Sequence, residues 1–239
     1  MFAVAYSATA PRLCEVTWNG DTMQTNFPGF SPDALKFFVQ LKRHNRRPWF
    51  LKNKGTYERE IKEPMVSLVL ALNAEFRSLA PELITEPKRA IYRIYRDVRF
   101  SADKSPYKTS IAAMVGEGYV QLSAEGLAAG CGMWEMASDQ LERYRQAVAD
   151  DKSGRVLEGI ASKARAAGLE VMGHEVLKTA PKGYPKDHPR IELLRYKGLV
   201  AWKQWPPAAW LGTRRAKDRV VEFLQLSRPL AEWLNARVA

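Results

Sequence analysis

The 239-residue sequence has few of the residues that support metal binding or thiol chemistry. It contains two cysteines, Cys14 and Cys131, and three histidines, His44, His174 and His188. Two cysteines cannot form a disulfide framework, and no Cys and His spacing typical of structural zinc is present. The sequence therefore predicts no metal site and no cofactor, and a reducing cytoplasmic compartment is the expected location.

Signatures of several enzyme classes are also missing. The sequence has no G-x-x-x-x-G-K-[ST] phosphate loop, no complete G-x-G-x-x-G and no G-x-S-x-G nucleophile elbow. Its aspartates are not clustered as a magnesium site requires, which argues against a two-metal nuclease. No apolar run approaches the roughly 18 residues that a membrane helix needs, so no membrane association is expected.

What the sequence does have is a hydrophobic fraction of 46%, enough for a core, and a formal net charge of +11. The excess positive charge is concentrated in windows 36–63, 86–110 and 178–203, which carry +6, +4 and +5, while the remainder carries −4. The first window is interpreted as a solvated helix end. In the other two, the charges are interleaved with Tyr, Pro, Gly and Asp, which indicates an anion-binding site.

The hydrophobic periodicity predicts an α+β fold with N-terminal helices, a central mainly antiparallel sheet and C-terminal helices. Helices are expected at 31–44, with the Ser31 hydroxyl available as a cap, at 53–79 with a kink or break at Glu63-Pro64, and at 138–149, 154–167 and 214–237. Strands are expected at 90–100, 110–115, 119–123 and 127–134, with hairpin turns at 116–118 and 124–126. The stretch 193–202 is ambiguous.

We expect a single domain over residues 25–239. Residues 1–24 are expected to be a poorly ordered or misassigned extension, and Met1 and Met23 both stay open as the true start. Most aromatic residues are assigned to the core, including Trp49, Phe50, Trp134 and Trp233. For Trp202, Trp205 and Trp210 the sequence does not decide between the core and an exposed face.

The first patterned basic segment is 93–108, R-I-Y-R-D-V-R-F-S-A-D-K-S-P-Y-K. An extended chain places Arg93, Asp97 and Arg99 on one face, where the carboxylate can hold the guanidinium groups in position for an anion. Pro106 favours a turn that returns the following lysine to that face. The candidate ligand-binding residues are Arg93, Arg96, Arg99, Lys104, Tyr107 and Lys108. An internal ion-pair network that pins the strand to the turn is an equally open interpretation.

The second segment, 177–189, has the sequence L-K-T-A-P-K-G-Y-P-K-D-H-P. Its prolines and glycine predict a shaped loop. The candidate ligand-binding residues associated with it are Lys178, Lys182, Tyr184 and Arg195. His188 is a residue type that can act as a general acid or base, although a hydrogen-bonded histidine at a helix start is the more common role of a His-Pro step. Asp97, Asp103 and His188 are the candidates for proton transfer.

Five motifs resemble the domain of unknown function 2461 family. They are F-P-G-F at 27–30, N-R-R-P-W-F at 45–50, the segment 93–108, G-M-W at 132–134 and the segment 177–189. The resemblance covers roughly residues 27–237 and implies a stand-alone bacterial or fungal domain of unestablished activity. Cys131 stands where the family pattern leads us to expect glycine or another small residue, which argues against a required thiol.

Three functions remain open. The leading hypothesis is a phosphate- or polyanion-binding domain in which the two segments surround one pocket, with nucleotides and nucleic acids as candidate ligands and exposed aromatic rings as stacking surfaces. The first alternative is a hydrolase or transferase acting on a phosphorylated or carboxylated small molecule. The second is a protein-interaction scaffold in which both segments serve the fold. The oligomeric state is not predicted.

Overall fold

The structure, a computed structural model, describes residues 27–77 and 84–239. The extension expected at residues 1–24 lies outside the described residues. The helices are α1 (Pro32–Arg43), α2 (Arg47–Tyr57), α3 (Glu63–Arg77), α4 (Pro87–Ala90), α5 (Ser138–Ala149), α6 (Asp151–Ala166), α7 (Ile191–Leu194) and α8 (Arg215–Arg237). A π-helical segment, Glu58–Lys62, joins α2 to α3, and a 3₁₀ turn, Ala209–Gly212, precedes α8.

Five strands form one antiparallel sheet in the order β1-β2-β3-β5-β4. They are β1 (Ser110–Val115), β2 (Gly118–Ser123), β3 (Gly126–Met133), β4 (Glu170–Met172) and β5 (Leu199–Trp205). The predicted turns at 116–118 and 124–126 connect β1 to β2 and β2 to β3. The predicted α+β fold, with helices before and after a central antiparallel sheet in a single domain, is confirmed.

The helices pack against one face of this sheet. Helix α8 lies against β3 and β5, α3 and α4 against β1, α6 against β4 and α1 against β2. Side chains that alternate along the strands, such as Ile111, Leu122 and Leu127, enter the resulting core and are 2% exposed or less. In the described ranges, no helix has the length and apolar character to cross a membrane.

Pro64 changes the helical hydrogen bonding around it, because proline has no backbone N–H to donate. At the expected kink or break, the helix continues through the π-helical segment directly before Pro64, and the N–H of Glu63 donates to the carbonyl of Glu58. The hydroxyl of Ser31 does not cap α1 as expected. It donates to Oε2 of Glu60, 2.7 Å away, and so ties the start of α1 to the π-helical segment.

The strand expected at 90–100 is wrong. Only Ile91 and Tyr95 form isolated bridges, to Ala113 and Tyr107, and the backbone between and beyond them is irregular. The N–H of Arg96 donates to the carbonyl of Pro106, but proline has no N–H to return a bond, so the ladder stops there. The apolar side chains do not share one buried face either, because Ile94 is buried while Phe100 is 95% exposed.

Two other expectations are resolved by the positions of the aromatic residues. The ambiguous stretch 193–202 contains the end of α7 and the start of β5. Trp134 does not belong to the core: it follows the last paired residue of β3 and is 49% exposed. Trp205 is buried, Trp202 is half-buried on the sheet, and Trp210 is half-buried beneath the guanidinium of Arg219 at 4.4 Å.

Candidate functional site

One face of the sheet has no helix packed on it in the described part of the chain. The strand register identifies its residues: Met114 pairs with Tyr119, Tyr119 with Gly130, Gly130 with Trp202, and Trp202 with Glu170. Because side chains alternate along a strand, these five residues lie on the face opposite the core. We call this surface the open face.

Aromatic rings form a continuous row on the open face. The rings of Tyr119 and Trp202 are stacked with their centroids 6.1 Å apart, and the ring of Tyr92 lies 6.3 Å from that of Tyr119. Gly130 occupies the strand between Tyr119 and Trp202, and a Cβ at this position would come within 2.8 Å of the Trp202 indole. The absence of a side chain on β3 therefore allows the two rings to approach each other.

A shallow cavity of about 470 Å³ covers this row. Trp134 lies at one end of it, with its indole stacked on His174 at a centroid distance of 4.4 Å. Glu117 is also part of the lining, and its carboxylate accepts a hydrogen bond from Asn235. The cavity is bordered mainly by ring faces and glycine backbone, so it suits a flat, partly apolar ligand.

Tyr119 is fixed within the row by its hydroxyl. That hydroxyl donates to Oε1 of Gln121, 2.7 Å away on the same strand. Burial, with a smaller contribution from Tyr92, raises the pKa of Tyr119 to about 12. The phenol is therefore neutral throughout the physiological range, and its ring is held in one orientation for stacking.

The first basic segment lies beside the open face, along the outer edge of β1. Ile91 pairs with Ala113 of β1, and the N–H of Lys108 donates to the carbonyl of Ile94. The Nζ of Lys108 lies 5.3 Å from the centroid of the Tyr92 ring, a cation–π contact at the margin of the aromatic row. Arg93 is exposed on the other side of Tyr92, where a second groove begins.

The middle of this segment forms a loop, 96–106, that is held by its own side chains. Arg96 pairs with Asp103, whose carboxylate also accepts two hydrogen bonds from Ser105. Arg99 pairs with Asp97 at 2.7 Å. The hydrogen bonds from Ser105, followed by that from Arg96, lower the pKa of Asp103, and the bonds from Arg99 lower that of Asp97. These carboxyls are therefore ionised at neutral pH.

Two other candidate ligand-binding residues of this segment have structural contacts: Lys104 within the loop and Tyr107 in the core. The Nζ of Lys104 donates to the carbonyl of Val98, which closes the loop and leaves Phe100 95% exposed at its surface. Tyr107 is buried, and its ring stacks on Phe50 at 4.1 Å. Asn45, from the N-R-R-P-W-F motif, bonds both backbone groups of Tyr107. These contacts give Tyr107 a structural position rather than one open to a ligand.

The second basic segment lies at the opposite edge of the sheet, beyond β4. Arg190, whose side chain is 4% exposed, donates to the carbonyls of Val148 and Ala149 and pairs with Asp151 at 2.8 Å. Arg195 donates to the carbonyl of Leu177 and pairs with Glu192. The arginines therefore tie the segment to the rest of the fold. Tyr184 packs against the core, whereas Lys178 and Lys182 are exposed.

The expectation that the two basic segments converge on one pocket is wrong. The first runs along β1, which is one outer strand of the sheet, whereas the second connects β4, the other outer strand, to β5. The enzymatic hypothesis requires His188 to lie near Asp97 or Asp103. In the structure it lies near neither of them. The Nδ1 of His188 accepts the backbone N–H of Arg190 at 3.0 Å, just before α7 begins, which is the structural role weighed above for a His-Pro step.

Among the described residues, the structure shows neither a reactive thiol nor a cluster of metal-binding side chains. Cys131 lies under the sheet on the core side, and burial raises its pKa to about 11, so the thiol stays protonated at neutral pH. Within the described ranges, no three His, Cys, Asp or Glu side chains are grouped so that they could hold a metal ion.

Sequence reasoning missed the open face as a site. The residues that form the aromatic row and its cavity, Tyr92, Tyr119, Gly130, Trp134 and Trp202, come from four separate stretches and match no motif as a set. One usable signal was present: Tyr119 and Gln121 alternate with Val120 and Leu122, which is typical of a strand with one uncovered face. Placing them beside Trp202 requires the pairing of β3 with β5, which local pattern does not provide.

Comparison with known proteins gives a family and no characterised relative. No curated protein and no solved structure matches the chain. The family described as "Conserved hypothetical protein (DUF2461)" matches residues 33–233, which include four of the five motifs, α1 and most of α8. Because this match covers most of the sequence and contains both basic segments and every residue of the aromatic row, the chain belongs to the DUF2461 family.

Proposed function

We propose that the protein binds single-stranded nucleic acid, with bases stacked on the open face of the sheet. The observation that carries the proposal is the uncovered row of rings formed by Tyr92, Tyr119 and Trp202. Antiparallel sheets with exposed aromatic residues are a common platform for unpaired bases, since every base has a π-face to stack. A duplex, in which the bases are already stacked on one another, has no comparable use for such a row.

Charge favours a nucleic acid over an uncharged flat ligand. The chain has a formal charge of +11, and the first basic segment borders the aromatic row. The contact of Lys108 with the Tyr92 ring supports the proposal, because an ammonium beside a stacking ring can pair with a phosphate of the bound strand, and the whole basic edge increases the local concentration of a polyanion. The second basic segment is not part of this proposal, because it lies at the far edge of the sheet.

The test is a fluorescence-anisotropy titration of the full chain with a labelled thymidine oligonucleotide of about 12 nucleotides, within the site sizes usual for single-strand binders. Replacing an aromatic residue that stacks a base costs about 1 to 3 kcal/mol, so Tyr119→Ala and Trp202→Ala should each weaken binding by about 5- to 150-fold. Stacking should also quench the tryptophan fluorescence of the wild-type protein, and Trp202→Ala should reduce that quenching.

Tyr184→Ala is the matched control, because it removes the same kind of side chain at the other edge of the sheet. Thermal melting of all variants shows whether each is folded. The proposal is wrong if the wild-type protein does not bind the oligonucleotide at low salt. It is also wrong if Tyr184→Ala weakens binding as much as Tyr119→Ala, or if a duplex of the same length binds more tightly than the single strand.

A further inference from the structure

A second groove, which we call the basic groove, lies on the other side of Tyr92. It has a volume of about 650 Å³ and runs between the helical stretch 50–66 and the chain at 86–95. Lys54 contributes from α2, Lys88 from α4 and Arg93 from the first basic segment. Three separate elements therefore direct cations to one concave surface.

The carboxylates of the basic groove do not neutralise these three cations. Glu58 pairs with Lys62 at 2.8 Å, and Glu86 pairs with Arg89 at 3.5 Å. Among residues 27–77 and 84–239, no carboxylate lies within ion-pair distance of Lys54, Lys88 or Arg93. All three are exposed; Arg93 also interacts electrostatically with Asp97, without an ion pair, and the groove presents a net positive charge to solvent.

The floor of the basic groove is aromatic. Phe50 and Tyr57 line it, with ring centroids 5.5 Å apart, and Tyr95 lies 6.5 Å from Phe50. Burial raises the pKa of Tyr57 to about 12, so its phenol remains a neutral hydrogen-bond donor at physiological pH. An aromatic, poorly hydrated floor strengthens the attraction between the groove's cations and an anion.

The basic groove adjoins the open face at Tyr92. Tyr92 lines both the groove and the cavity over the aromatic row, so a ligand that crosses this residue touches both surfaces. A nucleic-acid strand alternates flat bases with charged phosphates and so matches an aromatic surface beside a basic one. We infer that the basic groove binds phosphates of the strand whose bases lie on the open face; this inference rests on the proposed function.

The experiment measures how affinity depends on salt. Each phosphate neutralised on a single strand contributes about 0.7 to the slope of log K against log salt concentration. The triple variant Lys54→Gln, Lys88→Gln, Arg93→Gln should therefore bind the thymidine oligonucleotide with a slope lower by about 2. The quenching of tryptophan fluorescence at saturation should be unchanged, because the open face is intact.

A control of equal charge is available at the opposite edge. Lys178→Gln, Lys182→Gln, Lys186→Gln removes three exposed cations and the same net charge. It should leave the salt slope close to that of the wild-type protein. If both triple variants lower the slope equally, or if neither does, while the wild-type protein still binds and is quenched, the inference is wrong and the proposed function stands.

Inorganic polyphosphate separates the groove from the open face, because it carries charge without bases. It should bind the wild-type protein and the double variant Tyr119→Ala, Trp202→Ala equally, and bind the groove triple variant weakly. If that pattern is found but no oligonucleotide binds, the proposed function fails and the phosphate site in the groove is supported. Polyphosphate that binds all three proteins equally would overturn the inference.

Discussion

The two basic segments look alike in sequence but differ in how their cations are used. In segment 93–108, Arg96 and Arg99 pair with carboxylates of the same loop, and Arg93 and Lys108 pair with no carboxylate among the described residues. Directly after the second segment, Arg190 reaches 39 to 42 residues back along the chain to α5 and α6. Residue composition alone does not separate a binding segment from a structural one, because the difference lies in what the guanidinium groups contact.

The contrast extends to the surfaces beside each segment. Segment 93–108 borders an aromatic cavity of about 470 Å³ and a basic groove of about 650 Å³. Arg190 is instead enclosed between α5 and α6, and its carbonyl partners are the last residues of α5. The first segment should therefore determine binding with little effect on stability, and the second should determine stability with little effect on binding.

The largest expected effect is that of Arg190→Ala. It removes the donors from two carbonyls at the end of α5 and leaves space in a region where the arginine side chain is 4% exposed. Each unsatisfied buried acceptor costs about 1 to 3 kcal/mol, so the free energy of unfolding should fall by about 3 kcal/mol. Urea denaturation measures this change. Lys186→Ala, an exposed neighbour, should change it by less than about 0.5 kcal/mol.

Gly130→Ala tests whether the aromatic row of the open face, which the first segment borders, is needed for binding. The new Cβ would come within 2.8 Å of the Trp202 indole, which must shift to make room. Because the obstructing atoms belong to a side chain on an uncovered face, we expect a stability change below about 1 kcal/mol and a roughly tenfold loss of oligonucleotide affinity. If fluorescence shows a displaced indole and the affinity is unchanged, the open face does not take part in binding with the first segment.

The pair Arg93→Gln and Arg195→Gln compares one arginine from each region. Arg93→Gln removes one cation from the basic groove and should lower oligonucleotide affinity by about threefold at low salt, with unchanged melting. Arg195→Gln loses the hydrogen bond to the Leu177 carbonyl and should cost about 1 kcal/mol of stability with unchanged affinity. Titration with the oligonucleotide and thermal melting of both variants measure these effects. A loss of stability in Arg93→Gln with a loss of affinity in Arg195→Gln would contradict the comparison.

The smallest effect is the response of the 96–106 loop to acid. Because hydrogen bonds from Ser105 and Arg96 lower the pKa of Asp103, the stabilisation that they give is fully present above the ordinary aspartate pKa of about 3.9, declines below it, and is lost as pH falls through the lowered pKa. Amide NMR should show the loop losing order on acidification before the sheet unfolds. Asp103→Asn should loosen the loop at neutral pH, and a loop that stays ordered in this variant would contradict the account.

Much of the fold could be predicted from local pattern. The β1–β2–β3 meander follows from short alternating runs separated by G-E-G and A-E-G turns, and most helices begin and end within a few residues of the expected positions. The stretch 90–100 was mispredicted because its alternation is real but Pro106 cannot complete the ladder that would make it a strand. The hydroxyl of Ser31 likewise has a long-range partner, Glu60, that sequence pattern does not reveal.

The candidate site was only half predictable. The first basic segment could be identified from its interleaved charges: Arg93 lines the basic groove, and Lys108 contacts the ring of Tyr92, which lines both cavities. The aromatic row could not, because it depends on strand order. Trp202 is 83 residues from Tyr119, and the two meet only because β5 pairs with β3 across Gly130.

Ultraviolet cross-linking of the full chain to a thymidine oligonucleotide, followed by mass spectrometry of the peptides, tests the central claim most directly. The account predicts adducts on Tyr92, Tyr119 or Trp202, and none on peptides from 177–190. Adducts confined to 177–190, or an absence of cross-links at low salt where binding should be strongest, would contradict it.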